Sequence, residues 1–186
     1  MPILAKEPDI FPVDLLDEPI PGPEGTKWYV IHTLSRREKD LMRRLQANKI
    51  AHYCPMAEAR NRSPAGRIRL SYLPLFSSYV FVRGTDQDRY DVVCTGCIAN
   101  CLEVTNAAEL ITDLRRIRLL NQEGANIRAE SKPPIGRQAV VKSGPMAGTR
   151  GTVTEAHSQH RLTVIVSFMQ QGASVTIDEA DIELLD

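Results

Sequence analysis

The sequence predicts two small domains: an α+β domain with a mixed sheet and packed helices over 26–123, then a small all-β barrel of SH3-like type over 135–186. Three observations predict this. Charge divides unevenly along the 186 residues. The middle of the chain alternates strand and helix patterns, and its last third alternates short apolar strands with glycines. Formal charge cancels to zero, but it is −4 over 1–23, +6 over 24–128 and −2 over 129–186. The first stretch holds six of the 12 prolines and no helix or strand period, so 1–25 is expected to be a disordered acidic tail. The paired prolines of Ala129-Glu-Ser-Lys-Pro-Pro134 suggest a linker over 124–134.

The first domain opens with Lys27 to Leu34, rich in aromatic and β-branched residues, as a strand requires. Ser35-Arg-Arg-Glu38 reads as a capping box, and Leu41, Met42 and Leu45 follow on one helix face. Ile50 to Arg60, Arg67 to Leu73 and Ser77 to Val82 read as three strands. Thr85 with Asp88 caps a short helix, Ile98 to Val104 is strand-like, and Asn106 with Glu109 starts a longer helix. Beyond Ile135, strands are expected at Gln138–Lys142, Thr149–Glu155, Leu162–Phe168, Gly172–Ile177 and Asp181–Leu185. Five short strands hide their edges most simply by curling into a barrel.

Arg60, Arg62, Arg67 and Arg69 flank the loop Ser63-Pro-Ala-Gly66. If the loop closes a hairpin that pairs 62 with 67 and 60 with 69, all four guanidiniums share one face. Opposed like charges do not help a sheet fold, whereas nucleic-acid phosphates would fit them. A solvated hairpin tip whose arginines splay into water is the plain alternative.

Two motifs carry a family resemblance. Val140-Val-Lys-Ser-Gly-Pro-Met-Ala-Gly-Thr-Arg-Gly-Thr-Val153 is similar to a KOW motif, with Met146 where phenylalanine is usual. Trp28-Tyr29 and Pro74-Leu-Phe-Ser-Ser-Tyr-Val-Phe-Val82 resemble the N-terminal domain of the NusG family of transcription elongation and antitermination factors, with Ser77-Ser78 replacing Pro-Gly. The resemblance covers 24–186, extends to specialised RfaH-type paralogues, and makes 135–186 a KOW domain. It implies docking on the clamp of the largest RNA polymerase subunits, beside upstream or non-template DNA. The docking residues it implies are Val30, His32, Tyr79 and Phe81, while Tyr29, Ile31, Val80 and Val82 fill the core on the other sheet face. Burial preference alone would instead place Tyr79 and Phe81 beneath a helix. Asp88-Arg-Tyr90 does not reproduce the second polymerase contact of RfaH-type factors.

The resemblance also implies that the KOW domain recruits a further partner, Rho or a small-subunit ribosomal protein, through a loop similar to Phe168 and Met169. A monomer acting in the cytoplasm by differential affinity for the elongating polymerase is expected, with no membrane partner and no cofactor. Ribosome or RNA binding without polymerase is the alternative function. Cys94, Cys97 and Cys101 have a C-x2-C-x3-C spacing, with Cys54 and His52 elsewhere in the chain. Zinc needs four convergent ligands, so buried thiols are expected rather than a metal site. No nucleophile–base grouping or phosphate-binding glycine loop points to an enzyme.

Overall fold

The computed structural model describes residues 6–17, 22–62, 66, 68–122, 127–130, 136–156, 159–166, 168–169 and 171–185. They divide into two compact units, 1–107 and 108–186. The division falls just after the first residue of the third helix, which the sequence reading places in the first domain.

The first unit contains strands β1 (Ile10–Phe11), β2 (Lys27–Thr33), β3 (Ala51–Tyr53), β4 (Met56–Arg62), β5 (Ile68–Pro74), β6 (Tyr79–Gly84) and β7 (Ile98–Glu103). Its helices are α1 (Glu38–Ala47) and α2 (Asp86–Cys94). Five strands form one sheet in the order β1-β3-β6-β2-β7, and β4 and β5 form a separate ribbon. The expected α+β class is present, refined in one respect: the pairings of the main sheet are antiparallel rather than mixed. The single strand expected from Ile50 to Arg60 is broken into β3 and β4 around Cys54 and Pro55.

Registry divides the sheet into two faces. Tyr29 lies opposite Val82 and Ile31 opposite Val80, and these four pack with Leu41, Met42 and Leu45 of α1 and Val92 of α2. This is the core expected from the sequence. Each such side chain contributes roughly 1.5–3 kcal/mol by leaving water. Tyr29 keeps a polar handle by donating its hydroxyl to Asp86 at 3.1 Å. Burial first, and Asp86 second, push that hydroxyl up to about 12, so it stays a neutral donor.

Helix α2 starts as read: the Asp88 amide donates to Thr85 Oγ1, and the Thr85 amide donates to the Asp88 carboxylate at 2.7 Å. Helix α1 does not. Its N-cap is Arg37, with no side-chain cap, and Glu38 is buried and accepts from the Ser78 amide at 2.7 Å. The carboxylate expected to cap the helix ties it instead to the turn before β6. Ser78 has φ 65°, a left-handed conformation that glycine adopts more cheaply, which gives the Pro-Gly to Ser-Ser departure a physical cost.

The expectation of a disordered tail is corrected over 6–17. Ile10 pairs with Tyr53 and Phe11 with His52, adding β1 to the edge of the sheet. The Cys54 amide donates to the Asp9 carbonyl at 2.7 Å, and Leu15 and Leu16 are buried. Four apolar residues at 10, 11, 15 and 16 bury enough surface to offset the ordering entropy that the prolines and acids suggested could not be met.

His52 gives this contact a pH dependence. Its ring stacks on Phe11 with centroids 6.2 Å apart, and Nδ1 lies 2.9 Å from the Ile50 carbonyl. Burial holds the imidazole below its ordinary value, and the hydrogen bond opposes this only in part. The unfolded chain regains the ordinary value of about 6.5, so below it the unfolded state binds a proton that the folded state refuses. Stability is therefore full above about pH 6.5 and falls as pH drops toward the folded value. The thermal midpoint should fall between about pH 7.5 and 5.5 in the natural chain, and His52→Asn should flatten that slope.

The second unit holds α3 (Ala107–Gln122), β8 (Arg128–Glu130), β9 (Arg137–Val141), β10 (Arg150–Ala156), β11 (Gln159–Val166), β12 (Gln171–Ile177) and β13 (Ile182–Leu184). Helix α3 starts right after Asn106, as read, and buries Leu110, Ile111, Leu114, Ile117 and Leu120. The strands form one six-stranded antiparallel sheet, β13-β9-β10-β11-β12-β8. Strand β8 lies within the stretch expected to be linker. It was missed because three residues pair with β12 through backbone groups, which need no side-chain pattern. Val141, Val153, Leu162, Val164, Ala173, Val175 and Ile182 all fall on one face and are buried, the burial a curled sheet provides. Among the described residues no helix is long and apolar enough to cross a membrane.

Candidate functional site

The sheet face opposite α1 and α2 carries the residues expected to dock. A single row crosses all five strands: Ile10 opposite Tyr53, Tyr53 opposite Phe81, Phe81 opposite Val30, and Val30 opposite Leu102. Exposure is graded along it. Tyr53, Phe81 and Val30 are 1%, 0% and 1% exposed, whereas Leu102 on the outer strand is 43% exposed. Phe76 meets Phe81 edge-on, with centroids 6.4 Å apart and rings at 87°.

Val30 and Phe81 are therefore corrected from contact residues to the buried floor of this face, because a side chain with no accessible surface cannot touch a partner. His32 and Tyr79 form the next row. They are half-buried and lie against each other with centroids 5.1 Å apart. Asn100, exposed, stands opposite His32 on β7. The accessible patch is thus His32, Tyr79, Asn100 and Leu102. Sequence reasoning missed Leu102 because its place beside Val30 depends on the β2–β7 register, which crosses a long stretch of chain.

The β4–β5 ribbon forms the hairpin expected from the sequence, in a register one residue away from the assumed one. Arg60 lies opposite Leu70, Arg62 opposite Ile68, and Arg69 opposite Asn61. Positions 60 and 62 therefore share one face of the ribbon while 69 belongs to the other, so the single four-arginine face is corrected. Position 67 and loop residues 63–65 lie outside the described residues. Arg60 is highly exposed and pairs with Glu58 at 2.8 Å, an ion pair worth at most about 1 kcal/mol on the surface.

Elsewhere, Phe168 and Met169 sit in the turn between β11 and β12, closed by the Met169 amide donating to Val166 at 3.1 Å. Phe168 is 38% exposed and Met169 half-buried, so both reach the surface. On α2, Asp88 is spent on the cap, Arg89 sits 5.9 Å over the Tyr29 ring, and Tyr90 is exposed.

The cysteines do not converge. Cys54 and Cys97 are buried, Cys101 is intermediate and Cys94 is exposed, which corrects the expectation of uniformly buried thiols. Cys97 donates to Asp40 at 3.4 Å, and Cys54 to the Tyr79 carbonyl at 3.6 Å. Desolvation pushes the Cys54 thiol well up, so it is inert.

The family model described as transcription termination factor nusG matches residues 26–120. Among solved structures, one described as domain interaction in Thermotoga maritima NusG is similar at 17% identity and a TM-score of 0.49, over 87% of this chain and 98% of that chain. No curated protein matches.

Proposed function

Because the chain belongs to the NusG family of transcription factors, whose model spans residues 26–120, we propose that it binds RNA polymerase through its first unit and modulates pausing, termination or antitermination. The observation that carries this is the open end of the sheet face. There His32 and Tyr79 stay half-buried beside Leu102, 43% exposed, on a rigid floor of Val30 and Phe81. Rigid aromatic and aliphatic groups already partly desolvated are what a hot spot consists of. The partner surface is the clamp of the largest polymerase subunits.

Beside the docked unit, the arginine ribbon meets the backbone of upstream or non-template DNA. It positions rather than reads sequence, since guanidiniums on phosphates carry no base information. The second unit acts as a KOW domain, recruiting Rho or a small-subunit ribosomal protein through Phe168 and Met169. No bond changes, so the factor acts by binding one state of the elongation complex more tightly than another.

The test is capture of core polymerase by the full chain and by His32→Ala/Tyr79→Ala/Leu102→Asp. Loss of about 2 kcal/mol at a hot spot corresponds to roughly thirtyfold weaker binding. The thermal midpoint should hardly move, because all three side chains are already accessible. Undiminished capture overturns the docking assignment, and co-purification of ribosomes without polymerase points to the alternative class of partner.

A further inference from the structure

Helix α1 and its flanks carry Arg36, Arg37, Lys39, Arg43, Arg44 and Lys49, of which all but Lys39 are exposed. Two acids lie within the helix, and neither answers this charge fully. Glu38 is turned inward to the Ser78 amide, and Asp40 is shared between Arg37 at 3.1 Å and Arg44 at 3.3 Å. Arg43 is answered from elsewhere in the chain. Its Nε and Nη2 donate to the two oxygens of Glu7 at 2.8 and 2.7 Å. That two-point fork is the geometry a guanidinium offers a phosphate, and Arg43 remains 64% exposed while making it.

Glu7 does not reach Arg43 by chance orientation of a long side chain. Two residues later the Asp9 carbonyl accepts from Cys54, and Ile10 and Phe11 pair with β3. The Phe11 ring stacks on His52, and Leu15 and Leu16 are buried. This anchored segment precedes residues 26–120, the span matched by the family model.

We propose that Glu7, held by β1, is a built-in carboxylate competitor that occupies Arg43 on the outward face of α1 until a nucleic-acid phosphate displaces it. The segment then sets a threshold. Binding must break one bidentate pair before the helix adds its full charge, so weak, non-specific encounters gain less than a phosphate held close by the rest of the complex. Glu7 pays little for waiting, since the Arg43 hydrogen bond keeps its carboxyl below the usual range and it stays ionised at neutral pH. The inference rests on the reading that residues 24–128 meet nucleic acid.

The test uses the full chain and a fluorescent duplex of mixed sequence, with anisotropy followed over a salt series. Glu7→Gln should free one phosphate contact, steepening the slope of log K against log salt by about 0.9. At about 0.1 M salt that corresponds to roughly eightfold tighter binding. Glu7→Gln/Arg43→Gln should return both quantities to those of the natural chain. Unchanged binding by Glu7→Gln overturns the proposal, and so does a gain that persists without Arg43, which would reflect net charge alone. Replacing Arg60, Arg62, Arg67 and Arg69 by glutamine separates the two readings. If that weakens binding while Glu7→Gln does nothing, the nucleic-acid reading stands and the competitor fails. If neither the natural chain nor Glu7→Gln binds the duplex, both fail.

Discussion

Replacing Phe81 by alanine is expected to cost about 3–5 kcal/mol of stability, while Tyr79→Ala, two residues away on the same strand, costs far less. Phe81 has no accessible surface, stands between Tyr53 and Val30 in the row across the sheet, and is met edge-on by Phe76. Its removal leaves a cavity among the side chains of Tyr53, Val30 and Phe76, which the paired strands hold in place, so the transfer loss and the cavity loss add. Tyr79 is half-buried, and its chief ring contact is His32. Truncation there opens onto solvent and leaves no void. Urea unfolding of the two variants decides the matter. A Phe81→Ala loss below about 1 kcal/mol would mean that the side chain is not the floor described. Polymerase capture should rank the variants in the opposite sense at temperatures where both are folded, with Tyr79→Ala weakened and Phe81→Ala weakened only as far as the face deforms.

That contrast marks where sequence reasoning succeeded and where it stopped. Strands β2 and β6, the α2 capping box and the core made by Tyr29, Ile31, Val80 and Val82 were legible, because each depends on residues within a few positions. What was not legible depends on distant partners. Ser35 and Glu38 have capping-box spacing, yet Glu38 has a stronger claim from a backbone amide 40 residues away. Alternation put Val30, His32, Tyr79 and Phe81 on one face correctly, but period-2 pattern carries no information about depth along the strand. Only the completed sheet shows that one row is floor and the next is surface.

The arginine ribbon makes the same point through register. A hairpin between positions 60 and 69 was foreseen, but the pairing sum differs by one residue from the assumed value, and a shift of one moves a residue to the other face. The tail shows the converse error, in which composition outweighed pattern. Prolines and acids dominate the first 23 residues, yet two short apolar pairs, Ile10-Phe11 and Leu15-Leu16, suffice to seat residues 6–17, because the edge of β3 offers unpaired backbone groups.

Gly151→Ala should strongly destabilise the second unit while leaving the first intact. The motif holding it has three glycines with two different physical reasons. Gly148 has φ 82°, and a Cβ there would meet nothing within 4 Å, so alanine costs only the left-handed conformation, about 1 kcal/mol. A Cβ on Gly151 would lie 2.4 Å from the Thr163 carbonyl oxygen and 3.0 Å from Leu162 Cδ1. The first of these is backbone of the neighbouring strand, paired through Thr152 opposite Thr163, so it cannot swing aside as a side chain could. Relief requires parting β10 from β11 at the centre of the sheet, at a cost of about 3 kcal/mol or more. A unit of this size is held by roughly 4–12 kcal/mol, so such a loss empties much of its folded population on mild heating. Calorimetry should show the transition of the second unit lowered by only about 4–8 °C in Gly148→Ala and lowered much further in Gly151→Ala. If the first unit is the polymerase-binding one, as proposed, capture should survive in both; the proposed recruitment through Phe168 and Met169 should weaken on mild heating only in Gly151→Ala. Equal effects of the two substitutions would mean that turn conformation, and not the close approach of β11, is what the motif protects.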